Sequence, residues 1–233
     1  MAFAAAHRGL SSEHPENTLP AFEAAIDAGF QVLEMDLRLT HDKQVIILHD
    51  AGIDRTTDGN GRVRDFTYPE LLDYDTGVGP LPLLDDVMTA LEDASVFWNL
   101  EVKAAGAVEP TLTLVEEHGL EERALVSSMD PKSLQSARKR HPDVPRGLIV
   151  LGPPDEDDLA AAAEAGCTWL NLDHDFVTPE VLERTRVAGF RVGVWTVNDP
   201  ERAIELAAHG VDCVITDRRD VLSALPTPGR ISW

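Results

Sequence analysis

Positive charge is scarce in this sequence. Twenty lysines and arginines face 41 aspartates and glutamates, giving a formal net charge of −21 over 233 residues. Such a field repels phosphate polymers and anionic membranes at long range, which argues against nucleic acid as a partner and against stable membrane association. A small phosphate ligand would need positive charge concentrated in its own site. Cysteine is nearly absent. Cys167 and Cys213 each sit in an apolar, strand-like context without metal-ligand spacing, so they read as reduced core thiols and fit a cytoplasmic location. No apolar run approaches the ~18 residues of a membrane span. The first residues, Met1 to His7, have neither a basic region nor a long hydrophobic stretch, and read as a strand rather than a secretion signal. There is no close internal repeat, no low-complexity tract and no linker, so residues 1–233 are expected to form one domain.

What is present is a regular alternation of short apolar runs and amphipathic stretches. Parallel strands are expected at Phe3–Ala6, Val32–Leu39, Phe97–Lys103, Ala124–Ser127, Gly147–Val150, Trp169–Leu172, Arg191–Val197 and Cys213–Thr216, with helical signals between most of them. Asp130-Pro131, Thr178-Pro179 and Asp199-Pro200 each place a capping side chain before a proline suited to the first helical turn. Gly29, Gly166, Gly189 and Gly210 each follow a helical stretch. Eight strand–helix repeats with short loops favour a closed α/β architecture, a (β/α)8 TIM barrel, and its usual length of about 250 residues uses the whole chain.

One stretch breaks the rhythm. Thr40-His41-Asp42-Lys43 reads as a tight turn and Val45–Leu48 as a strand folding back antiparallel on the second strand. With the turn centred near Asp42, Leu48 lies opposite Asp36 and His49 opposite Met35. His49 thereby returns to the level of Glu34 and Asp36. Residues 50–94 then hold a turn-rich piece, a short helix around Pro69–Asp73 and a longer one around Leu84–Asp93. This β-hairpin and short helical insertion between strands two and three is expected over the barrel mouth.

Strand alternation assigns faces. Leu33, Met35, Leu37 and Leu39 point toward covering helices, and Glu34, Asp36 and Arg38 into the mouth. Trp98, Leu100 and Val102 share one face of the next strand, while Asn99, Glu101 and Lys103 share the other. Three carboxylates converging without a cation repel and raise one another's pKa. A hard divalent ion with oxygen ligands, Mg2+ or Ca2+, resolves this; a salt-bridge network with Arg38 and Lys103 is the alternative. His7 and Arg8 end the first strand at the face where such barrels keep their active sites. With His49 at the same mouth, two histidines are available as general acid and general base. Arg8 and Lys103 could hold phosphate oxygens. Trp195 has two readings, core packing or a wall of the site. His174, Asp217, Ser127 and Ser128 also end strands at this face but are left outside the expected site. The remaining histidines, His14, His41, His118, His141 and His209, read as surface residues.

These residues fall into six motifs: His7-Arg8-Gly9; Pro15-Glu16-Asn17-Thr18; Glu34-x-Asp36; His49-Asp50 with Asp54-Arg55-Thr56-Thr57; Asn99-x-Glu101-x-Lys103; and Trp195-Thr196-Val197-Asn198. In that order and spacing, from Ala6 to about Asp217, the sequence resembles the glycerophosphodiester phosphodiesterases. The resemblance implies a barrel of the phosphatidylinositol-phospholipase-C-like type and metal-dependent hydrolysis of small glycerophosphodiesters to sn-glycerol 3-phosphate and an alcohol. It implies one divalent cation on Glu34, Asp36 and Glu101, with His7 and His49 as the acid–base pair. Arg8 and Lys103 would contact phosphate, Trp195 would wall the glycerol, and Glu16 and Asn17 would support the first loop. One departure stands out: Thr76-Gly77-Val78-Gly79-Pro80 replaces the longer, aromatic-bearing stretch usual in the family. A shorter roof favours water-soluble diesters over the alternative, lysophospholipids or other lipid phosphodiesters. A binding protein with a relic site is a third reading, opposed by the completeness of the polar set.

Overall fold

Apolar strands flanked by one-sided helices bury both sheet faces when the sheet closes on itself and the helices cover its outside. The computed structural model, which describes residues 1–227, 231 and 233, has this arrangement. Its strands are β1 (Phe3–His7), β2 (Val32–Leu39), β3 (Val45–Ile47), β4 (Phe97–Val102), β5 (Ala124–Ser128), β6 (Arg146–Val150), β7 (Trp169–Asp173), β8 (Arg191–Trp195) and β9 (Cys213–Thr216). Pairing runs β1-β9-β8-β7-β6-β5-β4-β2, and a parallel β1–β2 pairing closes the ring. Eight parallel strands thus form the barrel, and β3 lies outside, antiparallel to β2.

The helices are α1 (Leu19–Asp27), α2 (Tyr68–Leu71), α3 (Leu84–Ala90), α4 (Val108–Glu117), α5 (Pro131–Arg140), α6 (Glu156–Glu164), α7 (Pro179–Val187), α8 (Pro200–Ala208) and α9 (Arg219–Ala224). The expected caps are in place: Asp130, Thr178 and Asp199 each accept main-chain N–H bonds at their helix starts. Thr18 and Asp155 do the same for α1 and α6. The four glycines expected after helices all adopt positive φ, between 65° and 99°. Helix α2 begins earlier than the sequence suggests because Thr67 and Glu70 form a reciprocal capping box. Helix α3 stops at Ala90, where Leu91 leaves helical geometry (φ −107°, ψ 17°). Strand β8 ends two residues short of Val197, although the Val197 N–H still donates to the Ile215 carbonyl at 2.9 Å.

Three apolar clusters follow from the alternation. Leu33, Met35, Leu37, Trp98, Leu100 and Val102 face outward and pack against helix residues such as Phe22, Leu112, Leu134 and Leu206. Phe3, Ala5, Val32, Leu125 and Trp169 fill the inside. There Trp233 meets Phe3, Phe97 and Trp169 edge-on, with centroids 5.6–6.0 Å apart. Ile46, Leu48, Ile53, Val63, Leu71 and Leu81 form a third cluster belonging to the insertion. The β3 hairpin therefore seals its own small core while keeping its register on β2. That register pairs Leu37 with Ile47 and Leu39 with Val45, and the Leu48 N–H donates to the Asp36 carbonyl at 2.8 Å. His49 consequently returns to the level of the β2 carboxylates. In place of a long roof, residues 76–80 form a tight turn closed by the Asp75 carboxylate, which accepts from the Gly77 and Gly79 N–H groups.

Candidate active site

Parallel register brings the acidic residues together. Asp36 pairs across the sheet with Glu101, and Glu34 with Asn99. Carboxylate oxygens of Glu34, Asp36 and Glu101 all lie within 4.8 Å of one another. Glu34 and Asp36 are buried, at 2% and 0% exposure. His7, Arg8, His49, Lys103 and Trp195 line the same cavity as Glu34 and Glu101, and Asp36 contacts Arg8 and Lys103 just beneath. All eight expected site residues therefore meet at the C-terminal end of the barrel.

The charge balance within the cluster is uneven. Asp36 lies 3.1 Å from both the Arg8 Nε and the Lys103 Nζ and accepts from the Asn17 amide at 2.9 Å. Burial would raise its pKa, but Lys103, Arg8 and Asn17 together hold it below the ordinary carboxylate range. Glu101 has Lys103 at 2.5 Å, yet burial and the charge of Asp36 push its pKa upward. Glu34 has one partner, the Arg8 main-chain N–H, which donates to Oε2 at 3.0 Å. To make that bond Arg8 takes a left-handed backbone conformation, φ 57°, a costly choice for a non-glycine residue. Glu34 Oε1 is buried with no hydrogen-bond partner. Burial, then the charges of Asp36 and Glu101, drive Glu34 up to about 8. Gathered carboxylates with an unpaired buried oxygen fit a hard divalent cation, which supplies the missing positive charge. Arg38 does not join this network: its Nε donates to the His49 carbonyl at 2.8 Å and fixes the hairpin instead.

Each histidine is held by an acid at Nδ1. His7 Nδ1 is 2.7 Å from Asp217 Oδ1, and Asp217 in turn accepts from Ser11 at 2.8 Å and Asn198 at 2.6 Å. His49 Nδ1 is 2.7 Å from Asp50 Oδ1, but Asp50 also accepts from Arg55 at 2.6 Å. The partners of Asp217 other than His7 are neutral, so its charge acts fully on His7; the charge of Asp50 is offset by Arg55. The two imidazoles are displaced in opposite directions. Burial lowers the pKa of His7, but Asp217 and Glu34 outweigh it and the net displacement is upward from 6.5. For His49 burial prevails over Asp50, and the pKa falls below 6.5. Burial opposes ionisation of Asp217 too, yet its hydrogen bonds with His7, Asn198 and Ser11 bring it down to about 2.

Glu16 and Asn17 hold the first loop. Glu16 accepts from Arg8 at 3.0 Å and from both terminal nitrogens of Arg55 at 2.7 Å. A continuous chain of contacts therefore runs Asp36–Arg8–Glu16–Arg55–Asp50–His49 and ties the insertion to the barrel. Asp217, a strand-end acid outside the expected site, and Asn198, expected only as part of the Trp195–Asn198 motif, join it through His7. The usable signal was Asn198 within Trp195-Thr196-Val197-Asn198, followed by a strand ending in Thr216-Asp217. Ser127 and Ser128 spend their hydroxyls on Asn99 and the Val102 carbonyl, and His174 is not among the cavity residues. Opposite the charged half, Met129, Ile149, Trp195 and Ile215 form an apolar wall; the Trp195–Thr196 peptide bond is cis.

Residues 7–221 match the glycerophosphoryl diester phosphodiesterase family. A glycerophosphodiester phosphodiesterase of Caldanaerobacter subterraneus subsp. tengcongensis is 32% identical over 238 residues, covering 96% of this chain and 97% of the relative. A phosphodiesterase of Oleispira antarctica, solved in complex with the product sn-glycerol-3-phosphate, superimposes with a TM-score of 0.91 at 26% identity, covering 96% of each chain. A more distant relative, a lysophospholipase D of Mus musculus, is 28% identical over 88% of this chain and 81% of its own length.

Proposed function

The chain belongs to the glycerophosphoryl diester phosphodiesterase family, and from that premise we propose that it hydrolyses small glycerophosphodiesters to sn-glycerol 3-phosphate and an alcohol in a cation-dependent, two-histidine reaction. The observation that carries this reading is the buried cluster of Glu34, Asp36 and Glu101 beside two separately anchored histidines. Glu34, Asp36 and Glu101 would hold one Mg2+ or Ca2+. Such an ion, when bound, neutralises phosphate charge and stabilises the charge that grows in the transition state.

The protein's own groups do the rest. Arg8 and Lys103 border the cavity beside the acidic cluster and contact phosphate oxygens. His49, whose pKa lies below the ordinary histidine value, stands unprotonated near neutral pH and serves as general base toward the attacking hydroxyl. His7, backed by the undiluted charge of Asp217, holds its proton and delivers it to the leaving alkoxide as general acid. The apolar wall of Met129, Ile149, Trp195 and Ile215 excludes water and receives the carbon skeleton. The whole chain acts as one catalytic domain, with residues 50–94 as the insertion that presents His49. The net charge of −21 and the pair of buried free thiols suit work on small molecules in the cytoplasm.

The test is glycerol 3-phosphate release from glycerophosphocholine by chelator-treated protein before and after restoring Mg2+ or Ca2+. Restoration of turnover is expected, with His7→Ala and His49→Ala each slower by at least about 100-fold, the low end of general acid–base contributions. Metal-independent turnover, or near-normal turnover in either variant, refutes the corresponding part. One observation favours a second reading. Met129, Leu151 and Phe176, on the loops after β5, β6 and β7, are 44%, 65% and 40% exposed. An apolar rim of this kind suits a substrate with an acyl chain; faster turnover of lysophosphatidylcholine than of glycerophosphocholine would establish it. Among the described residues no helix is long and apolar enough to cross a membrane.

A further inference from the structure

Within the apolar half of the cavity stands one buried amide. Asn171, in the middle of β7, is 3% exposed, lines the cavity, and its side-chain nitrogen has no hydrogen-bond partner. A buried amide nitrogen left unpaired costs free energy, and a hydrophobic residue of the same shape would avoid that cost. The neighbouring strands make room for it. A Cβ at Gly193 on β8 would stand 2.4 Å from the Asn171 oxygen, and one at Gly147 on β6 would stand 3.3 Å from its nitrogen. The amide therefore lies across two strands that both omit a side chain beside it. Gly147 and Gly193 have no turn to form at these positions, since both are inside strands. Glycine inside a strand marks a place where another group approaches closely.

We propose that Asn171 is the specificity residue for the glycerol moiety, hydrogen-bonding one of its hydroxyls at the floor of the apolar half. This assignment rests on the phosphodiesterase reading above. An amide offers one donor side and one acceptor side whichever way it is turned, and a hydroxyl both donates and accepts. The charged half of the cavity is committed to phosphate, cation and proton transfer. Asn99, the other amide in the cavity, already accepts from Ser127. Asn171 is the cavity amide whose nitrogen is both buried and without a partner, against the apolar wall where the three-carbon skeleton lies. A site built to pair with a hydroxyl rejects the analogue that lacks it, because the buried polar group is then stranded. The glycerol side is accordingly read closely, and the alcohol leaving group, which faces the open mouth, is not.

The experiment titrates sn-glycerol 3-phosphate and n-propyl phosphate into the Mg2+-loaded full chain by calorimetry. The two ligands share the phosphate and the three-carbon chain and differ in the hydroxyls. Wild-type protein is expected to prefer glycerol 3-phosphate by at least about tenfold. Asn171→Leu should lose that preference, keep its affinity for propyl phosphate within about twofold, and melt no lower than wild type, because an unpaired donor has been removed. Gly193→Ala keeps the amide but displaces it, and should also lose the preference. A preference that survives in either variant overturns the assignment. So does a wild-type protein that binds both ligands equally. Wild-type protein that binds neither ligand overturns the underlying phosphodiesterase reading, and with it this one.

Discussion

Asp217 lies outside the catalytic motifs yet controls the charge on His7, so Asp217→Asn is a sharp perturbation. The carboxylate meets His7 Nδ1 at 2.7 Å, and the two side chains are 27% and 15% exposed. Hydrogen bonds to charged groups contribute about 1.5–3 kcal/mol net, which corresponds to about 1–2 pH units of the imidazole pKa. Partial exposure screens the pair, so the lower end, about one unit, is expected. The sign follows from the role proposed for His7 as the acid. Its pKa is raised in the wild type, the protonated form is the active one, and activity is lost as pH rises through that value. Neutralising Asp217 lowers the value, so the alkaline limb of kcat moves down by about one unit and turnover on that limb falls about tenfold. The acid limb, set by His49, stays where it is. Full pH–rate profiles of both proteins on glycerophosphocholine are the assay. A loss that is uniform at every pH would make Asp217 merely a scaffold, and an unmoved alkaline limb in an active variant would remove His7 as the acid.

Three other outcomes are expected. Arg55→Ala frees the charge of Asp50 to act on His49, so the pKa of His49 rises and the acid limb moves toward neutral pH while the alkaline limb is unchanged; a profile shifted on the other side contradicts the assignment of base and acid. Trp169→Ala empties a site that is 1% exposed among the rings of Phe3 and Trp233, and should cost about 3–5 kcal/mol in denaturant unfolding. The protein that remains folded should keep its cation affinity, and a loss below about 1 kcal/mol would show that this end of the barrel is loosely packed. The stabilisation conferred by Mg2+ should grow as pH rises. Glu34 without the ion is raised from 4.5 to about 8, so its contribution to stability is present at low pH and lost as pH climbs toward 8. The gap in melting temperature between loaded and chelated protein should therefore widen across that window, and a constant gap would show that Glu34 is not displacing a proton for the ion.

Much of this site was legible in the sequence because strands have a period of two and hairpin registers follow from their turns. Placing Glu34 and Asp36 on one face of β2 and Glu101 on the same face of β4 needs no tertiary information beyond adjacency. The antiparallel return that brings His49 level with Met35 follows from centring the turn at Asp42. The partners of the functional groups were less visible. Asp217 is 210 residues from His7 and meets it only because β9 closes the barrel onto β1, and strand-end acids are too common to single one out. Arg38 shares the inward face of β2 in the sequence pattern, but its long side chain reaches the His49 carbonyl instead of the carboxylates. Asn171 gave no sequence signal, because an amide within an apolar strand gains meaning only beside the two glycines that the sheet register sets around it. The exposed Met129, Leu151 and Phe176 are scattered singly along the chain, and only the barrel gathers them on one rim.

Everything proposed for the site depends on Glu34, Asp36 and Glu101 together binding one divalent ion. Calorimetric titration of Mg2+ into chelator-treated protein at neutral pH, in buffers of differing ionisation enthalpy, tests it most directly. One ion per chain and release of about one proton, largely from Glu34, are expected, because metal ligation requires the deprotonated carboxylate. Glu34→Gln should abolish the proton release and weaken binding, and Glu101→Gln should weaken binding as well. Failure of wild-type protein to take up Mg2+ or Ca2+, or uptake indifferent to both substitutions, would contradict it.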